Sequence, residues 1–360
     1  MDQRVKEYAR LLVERCIDVQ PGWQVEVKSS PLARPLVEEV VRLIARRGAY
    51  PLVRLSWVTE NFPFEVLWAT EVPEEVAGTQ PAVEVRTWQE LDAWINVTAQ
   101  ENTRDGSALD SERRRLRGEA NHPFGKRRLA LEIPWVTCVY PTPAHAQEAG
   151  MTLSAFEDFV YGSCLLDWDA EAERMARYAD RFDRASEVRI VGTGTDLTLS
   201  LDGRAGMVDD GRVNMPGGEF FYAPVEDSAE GVIEYAEFPA VQGGHTVEGV
   251  RLEFRGGRVV DATSRTSEDF LVETLDRDPG ARVLGELGIG CNPGIQRYVQ
   301  NTLFDEKIDG TVHLAVGAGI PAVGGLNESN VHWDMVKDLR SGGRLYCDGE
   351  LVQEDGTWLV

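Results

Sequence analysis

Of the five histidines in this chain, two stand where their side chains could share a metal ion with carboxylates. In Val331-His332-Trp333-Asp334-Met335-Val336, polar and apolar residues alternate with the period of a β-strand, so His332 and Asp334 project from one face. An imidazole and a carboxylate so placed form a bidentate platform. His313 occupies a second apolar strand pattern, Thr311-Val312-His313-Leu314-Ala315-Val316. A lone strand histidine is more often a core residue; two of them, one paired with Asp, point toward metal ligation. Glu286 lies in the apolar run Arg282-Val283-Leu284-Gly285-Glu286-Leu287-Gly288-Ile289-Gly290, and Glu219 in Pro216-Gly217-Gly218-Glu219-Phe220-Phe221-Tyr222-Ala223-Pro224. A carboxylate buried in such a context is costly unless partnered. An arginine or a backbone amide would serve for each, whereas a bound dication would neutralise both at once. Two glutamates, two histidines and an aspartate suit a pair of Zn²⁺, Co²⁺ or Mn²⁺ ions.

Other chemistry is poorly served. His122, His145 and His245 read as loop residues beside prolines or glycines. No GxSxG elbow occurs, and no cysteine has an activating context. Gly192-Thr193-Gly194-Thr195-Asp196 lacks the third glycine and following helix of a dinucleotide loop, and the strand pattern Leu197-Thr198-Leu199 after it predicts a hairpin turn. Gly317-Ala318-Gly319 and Gly324-Gly325 lack the lysine of a phosphate loop and read as loops near a site.

The elements that must position these residues fall into two rhythms. In the first half, a helix at residues 2–17, a short strand at Trp23–Val27, a helix at Ala33–Arg47 and apolar strands at Leu52–Trp57 and Ala93–Val97 predict a mostly parallel sheet flanked by helices. Asp167–Ala185 reads as a charged amphipathic helix. Beyond Glu187, short strands with Gly-rich turns, interrupted by a helix at Ser267–Leu275, predict mixed α/β structure with antiparallel strands. The expected fold class is therefore α/β in two domains: an N-terminal α/β domain over 1–185 and a C-terminal metal-binding domain over 186–360.

A net charge of −23 excludes the basic surface that nucleic acid requires. The cluster from Arg113-Arg114-Arg115 to Lys126-Arg127-Arg128 is diluted by Glu112 and Glu119 and reads as a solvated helix face. Neither a signal-peptide core at the start nor an apolar stretch long enough to span a bilayer is present, and the five widely spaced cysteines read as reduced thiols. A cytoplasmic protein without membrane attachment is expected.

Ordered segments resemble the thermophilic metallo-aminopeptidases of the aminopeptidase T, aminopeptidase S and aminopeptidase II group. Asn214-Met215-Pro216-Gly217-Gly218-Glu219-Phe220-Phe221-Tyr222-Ala223-Pro224 is similar to the family's N-x-P-x-G-E-V-F-x-A-P stretch, and Gly280-Ala281-Arg282-Val283-Leu284-Gly285-Glu286 to its G-A-R-x-L-G-E. Asn301-Thr302-Leu303-Phe304-Asp305-Glu306, with His313 beyond it, resembles N-T-L-F-D-E-N and the first metal histidine. Gly325-Leu326-Asn327-Glu328-Ser329-Asn330-Val331-His332-Trp333-Asp334 resembles G-L-N-x-S-x-x-H-x-D. Weaker similarity continues through the first half.

The resemblance implies that Glu219, Glu286, His313, His332 and Asp334 hold two divalent ions, with Glu219 or Glu286 doubling as proton acceptor. It implies removal of N-terminal residues from peptides bearing a free amino group, through a hydroxide bridging the metals, in an enzyme that is usually a homodimer. Two departures stand out. Ile320 replaces a family tyrosine seven residues after the first metal histidine, and the interval from His313 to His332 is shortened. Two other readings share the scaffold: an iron-dependent ring-cleaving dioxygenase with a two-His, one-carboxylate site, and a non-catalytic metal- or peptide-binding relative, for which Ile320 argues.

Overall fold

The computed structural model describes residues 2–56, 63–104 and 109–359. Within these, the chain forms two compact units, one of residues 1–166 with 211–217, the other of 167–210 with 218–360. The fold is mixed α/β.

The first unit is built on a five-stranded sheet in the order Tyr50–Leu55, Gln24–Ser29, Ala93–Thr98, Trp135–Val139, Asn214–Met215. Every adjacent pair is parallel. The helix expected at residues 2–17 is α-helical over Gln3–Arg10 and continues as a π-helix over Leu11–Cys16. It packs on the helix Arg34–Arg46 through Val5, Tyr8, Ala9, Leu36, Val37 and Val40, an apolar stripe of helical period. The apolar strand Tyr50–Leu55 forms a sheet edge, with Leu52, Val53 and Leu55 exposed; Trp57, also expected in it, lies outside the described residues.

The second unit is antiparallel. An eight-stranded sheet and a five-stranded sheet share one apolar core, in which Leu197, Leu199, Ile233 and Leu252 from the former join Leu287, Ile289, Leu314 and Trp333 from the latter. The helix Trp168–Asp183 contributes Phe182, whose ring stands edge-on to Phe220 at 5.2 Å. Glu187–Gly192 and Thr195–Ser200 pair antiparallel through a two-residue turn with Gly194 at positive φ, so the glycine-rich segment is a hairpin. The helix Glu268–Leu275 lies where expected.

Three histidines depart from the expected loops. His122 lies inside the helix Ser111–Leu129, which accommodates Pro123; His145 lies in the short helix Pro143–Glu148; His245 opens a hairpin strand. Proline and glycine neighbours signalled breaks that tertiary packing overrides.

Candidate metal centre

Four antiparallel strands carry the five expected residues: Glu219–Tyr222, Leu284–Gly290, Thr311–Gly317 and His332–Asp338, with Met207–Asp209 at the edge. Period-two alternation sorts their side chains. Leu287, Ile289, Val312, Leu314, Trp333 and Met335 enter the core, leaving Glu286, His313, His332 and Asp334 on the opposite face. Register then brings them together. Glu286 and Asp334 both lie opposite Ala315, His332 opposite Gly317, His313 opposite Gly288, and Glu219 opposite Gly290. The small residues between the polar ones leave open ground on that face.

The result is a connected cluster. His313 Nε2 lies 3.3 Å from Glu219 Oε2 and 3.5 Å from Glu286 Oε1. His332 Nε2 lies 3.2 Å from Glu286 Oε2 and 3.6 Å from Asp334 Oδ1. Glu286 thus spans the two imidazoles, one oxygen toward each. Glu219, Glu286 and His313 form one group able to hold an ion; Glu286, His332 and Asp334 form a second. The His313 side chain is 1% exposed and that of His332 37%, so the His332 end is the accessible one.

The residues fit a metal on two grounds. Glu219 Oε2 and Asp334 Oδ1 are buried without a hydrogen-bond partner, although each is near an imidazole nitrogen. Such oxygens are expensive to leave bare. His332 Nδ1 lies 3.0 Å from the Ala318 carbonyl, which can only accept, so Nδ1 carries a proton and Nε2 is the nitrogen turned to the cluster. This backbone clamp is the usual way a ligating imidazole is oriented.

Sequence explains the clamp. A Cβ on Gly285 would lie 2.4 Å from the Ala318 oxygen, so glycine is required there for this approach. Asn327 Nδ2 donates to Gly317 O at 2.6 Å and Gly280 O at 2.9 Å, tying down the loop that leads into His332. Ser329 Oγ donates to Asp278 Oδ2 at 3.0 Å. The Gly317-Ala318-Gly319 segment is therefore a structural support of the site.

Electrostatics reflect the crowding. Burial raises Glu219 and outweighs the pull of Lys307. Burial also opposes ionisation of Glu286, but hydrogen bonds from His313 and His332 prevail and hold it well below the usual carboxylate range. Both imidazoles resist the lowering that burial imposes and are raised, His313 by Glu286 and Glu219, His332 by Asp334 and Glu286. Desolvation lifts Asp334. A dication would displace these protons.

Three residues that the sequence reading did not name as site residues join the cluster. Lys307 is fully buried, with Nζ 3.0 Å from Glu219 Oε1 and 3.9 Å from Asp209 Oδ2, and it also contacts Glu306. Glu306 forms a third candidate group with His313 and Asp334. Their placement comes from Asn301, which caps the helix Thr302–Asp305, and from buried Asp305, whose carboxylate accepts from the Val299 and Asn301 amides at 2.7 Å each. The available signal was Lys307 itself, a cation next to the Asn301–Glu306 segment. Asp209 sits on a three-residue strand and had no local signal. Ile320 packs with Phe221, Ala223, Val323 and Met207 into an apolar cluster; Phe221 lies opposite Gly288.

The sequence pattern of the thermophilic metalloproteases (M29) spans residues 1–358. The chain is 26% identical to aminopeptidase AmpS of Bacillus subtilis (strain 168), over 99% of this chain and 98% of that protein. It is 35% identical to aminopeptidase T of Thermus aquaticus over 46% of this chain and 45% of that protein. Wild-type AmpT from Thermus thermophilus has the same fold, with a TM-score of 0.84 at 22% identity over 99% of both chains. The 2,5-dihydroxypyridine dioxygenase of Pseudomonas putida KT2440 shares it more distantly, with a TM-score of 0.65 at 15% identity over 99% of this chain and 97% of that one. Because the family pattern covers nearly the whole chain, this protein belongs to the thermophilic metalloprotease family M29.

Proposed function

We propose that this protein is an aminopeptidase that removes N-terminal residues from peptides at a centre of two divalent ions, held by Glu219, Glu286, His313, His332 and Asp334. Charge carries the reading. Glu219, Glu286, Asp334, Glu306 and Asp209 crowd five carboxylates around the cluster, and among the described residues Lys307 is the ammonium paired with them. Four negative charges remain once the histidines act as neutral ligands, which two dications balance. Burying that excess bare would cost several kcal/mol per ion.

Bound divalent ions would supply an ionised water near neutral pH and polarise the scissile carbonyl. The chain's residues set the frame for that chemistry. Glu286, directed at both histidines, is suited to bridge the two sites. Of the two glutamates expected to accept a proton, Glu286 has an imidazole at each oxygen, whereas Glu219 Oε2 has no hydrogen-bond partner and its Oε1 is oriented by Lys307, which favours Glu219 for the role. Ile320 offers no hydroxyl, leaving oxyanion stabilisation to the metals, and with Phe221 it gives an apolar wall beside the cluster.

Zn²⁺, Co²⁺ and Mn²⁺ all suit this donor set. A homodimer and a cytoplasmic setting complete the proposal, the latter supported by five free, buried cysteines. Among the described residues no helix is long and apolar enough to cross a membrane. The dioxygenase reading is favoured by the shared fold alone. Hydrolysis of leucine and arginine anilides with Co²⁺, Zn²⁺ or Mn²⁺ tests the proposal. Turnover with two ions per chain supports it; one iron per chain, or no turnover with two ions bound, refutes it.

A further inference from the structure

The parallel sheet of the first unit has an unusual face. Parallel strands are normally apolar on both sides because both are covered. Here Val25 and Val27 are buried on one side, while Glu26 and Lys28, with Arg54 from the neighbouring strand, line a cavity of about 850 Å³ on the other. The helix Ser111–Leu129 lines it too, with Arg114, Arg117, Asn121, Phe124 and Arg128 recurring every three or four residues as one stripe. A stripe facing the interior is ordinarily apolar. This one carries three arginines, so part of the cluster read as a solvated face points inward. The cavity walls hold five cationic side chains and two carboxylates, Glu26 and Glu84, in a protein of net charge −23.

Two further observations point to a ligand. Arg128 stacks over Trp94 and Trp135, its carbon Cζ 5.0 Å and 4.4 Å from the ring centroids, and among the described residues it has no carboxylate partner. Burial lowers its affinity for protons with nothing to offset it. A guanidinium resting over two tilted indoles, with no carboxylate on it, can turn its N–H edge to a planar anion. Part of the remaining wall is aromatic: Trp88 stacks on Phe124 at 5.1 Å, and Trp94 meets Phe124 edge-on at 5.8 Å. Gly118 also lines the cavity, and a Cβ there would meet nothing within 4 Å.

We propose that this cavity binds a small organic anion carrying a flat ring, with the anionic group on Arg128 and the ring against Trp88, Trp94 and Phe124. Aromatic phosphates and aromatic carboxylates share that chemistry. Calorimetric titration of the full chain with adenosine monophosphate, indole-3-acetate, adenosine and inorganic phosphate separates them. The expected result is saturable one-to-one binding of at least one ring-bearing anion, with adenosine and free phosphate about tenfold weaker or more. Arg128→Met should weaken that binding by a similar factor. Gly118→Leu, which fills the cavity while strengthening the helix, should do the same and decides the matter if Arg128→Met does not fold. Failure of both ring-bearing anions to bind at millimolar concentration overturns the proposal. So does affinity that survives Gly118→Leu, or free phosphate binding as tightly as the nucleotide.

Discussion

Gly288 and His313 lie opposite each other on adjacent antiparallel strands, and a Cβ on Gly288 would sit 2.0 Å from both Cε1 and Nε2 of the imidazole. The ring rests where a side chain would otherwise be, so the position of the first histidine depends on the absence of atoms from its neighbour. Gly288→Ala is expected to displace Nε2 from Glu219 and Glu286 and to lower kcat/KM by about 100-fold, the usual consequence of a 1 Å misplacement. Its melting curve should stay cooperative, because Leu287 and Ile289 still fill the core from the opposite face. Anilide kinetics and circular dichroism check this; undiminished activity would remove the steric argument.

The two histidines should fail differently. His332 is partly exposed and His313 is enclosed. His332→Ala is expected to abolish peptidase activity with little change in melting temperature. His313→Ala should abolish activity and also destabilise the metal-free protein by roughly 2–4 kcal/mol, since it leaves buried carboxylates without their partner. Urea unfolding in the presence of a chelator compares them. Equal stabilities would argue against the enclosed placement of His313.

Lys307 is the internal counter-charge of the centre. Replacing it with methionine leaves Glu219, Glu306 and Asp209 without their shared ammonium. The metal-free variant should lose about 3 kcal/mol, and saturating Zn²⁺ or Co²⁺ should restore part of that loss because ions binding only the folded state stabilise it. The gap between melting temperatures with chelator and with metal is therefore expected to be wider in Lys307→Met than in the parent. A gap of equal width would contradict the role.

His145 offers a stability test away from the metals. Its ring is buried, with Nε2 donating to Gln100 Oε1 at 3.1 Å, and desolvation lowers its pKa to about 4. A histidine near 4 when folded and near its ordinary 6.5 when unfolded leaves the unfolded chain with more bound protons between those values. Stability is unaffected above pH 6.5 and falls as pH drops toward 4, by roughly 2 kcal/mol at pH 5. Chemical unfolding at pH 7 and pH 5 should show His145→Gln losing less than the parent by that margin. Identical losses would mean that the imidazole is not held neutral.

Much of the clustering at the candidate site was legible because strand alternation is local. His332 and Asp334, two apart in a strand pattern, declared one face before any neighbour was known; His313 read as a residue of a second strand and Glu286 as a carboxylate in an apolar run, and register sets them beside that face. Position within the sheet was less visible. Leu52, Val53 and Leu55 read as part of an apolar strand and form an exposed sheet edge, since composition does not say which strand is last. Asp209 and the role of Lys307 were harder to read for a related reason. Lys307 meets Glu219 and Asp209 only in space, since both are remote from it in sequence and nothing beside Asp209 marks the pairing. The inward-facing arginines of Ser111–Leu129 were missed because a polar helix stripe normally means solvent.

The measurement that bears most directly on the central claim is metal content, by elemental analysis, of the purified protein beside Glu286→Gln after saturation with Zn²⁺ or Co²⁺. Glu286 lies within 3.5 Å of His313 and 3.2 Å of His332 and belongs to both ligand groups, so one substitution reaches both sites. Two ions per parent chain, and at most one, without peptidase activity, in folded Glu286→Gln is the predicted result. Two tightly bound ions and full turnover in the variant would contradict the shared centre.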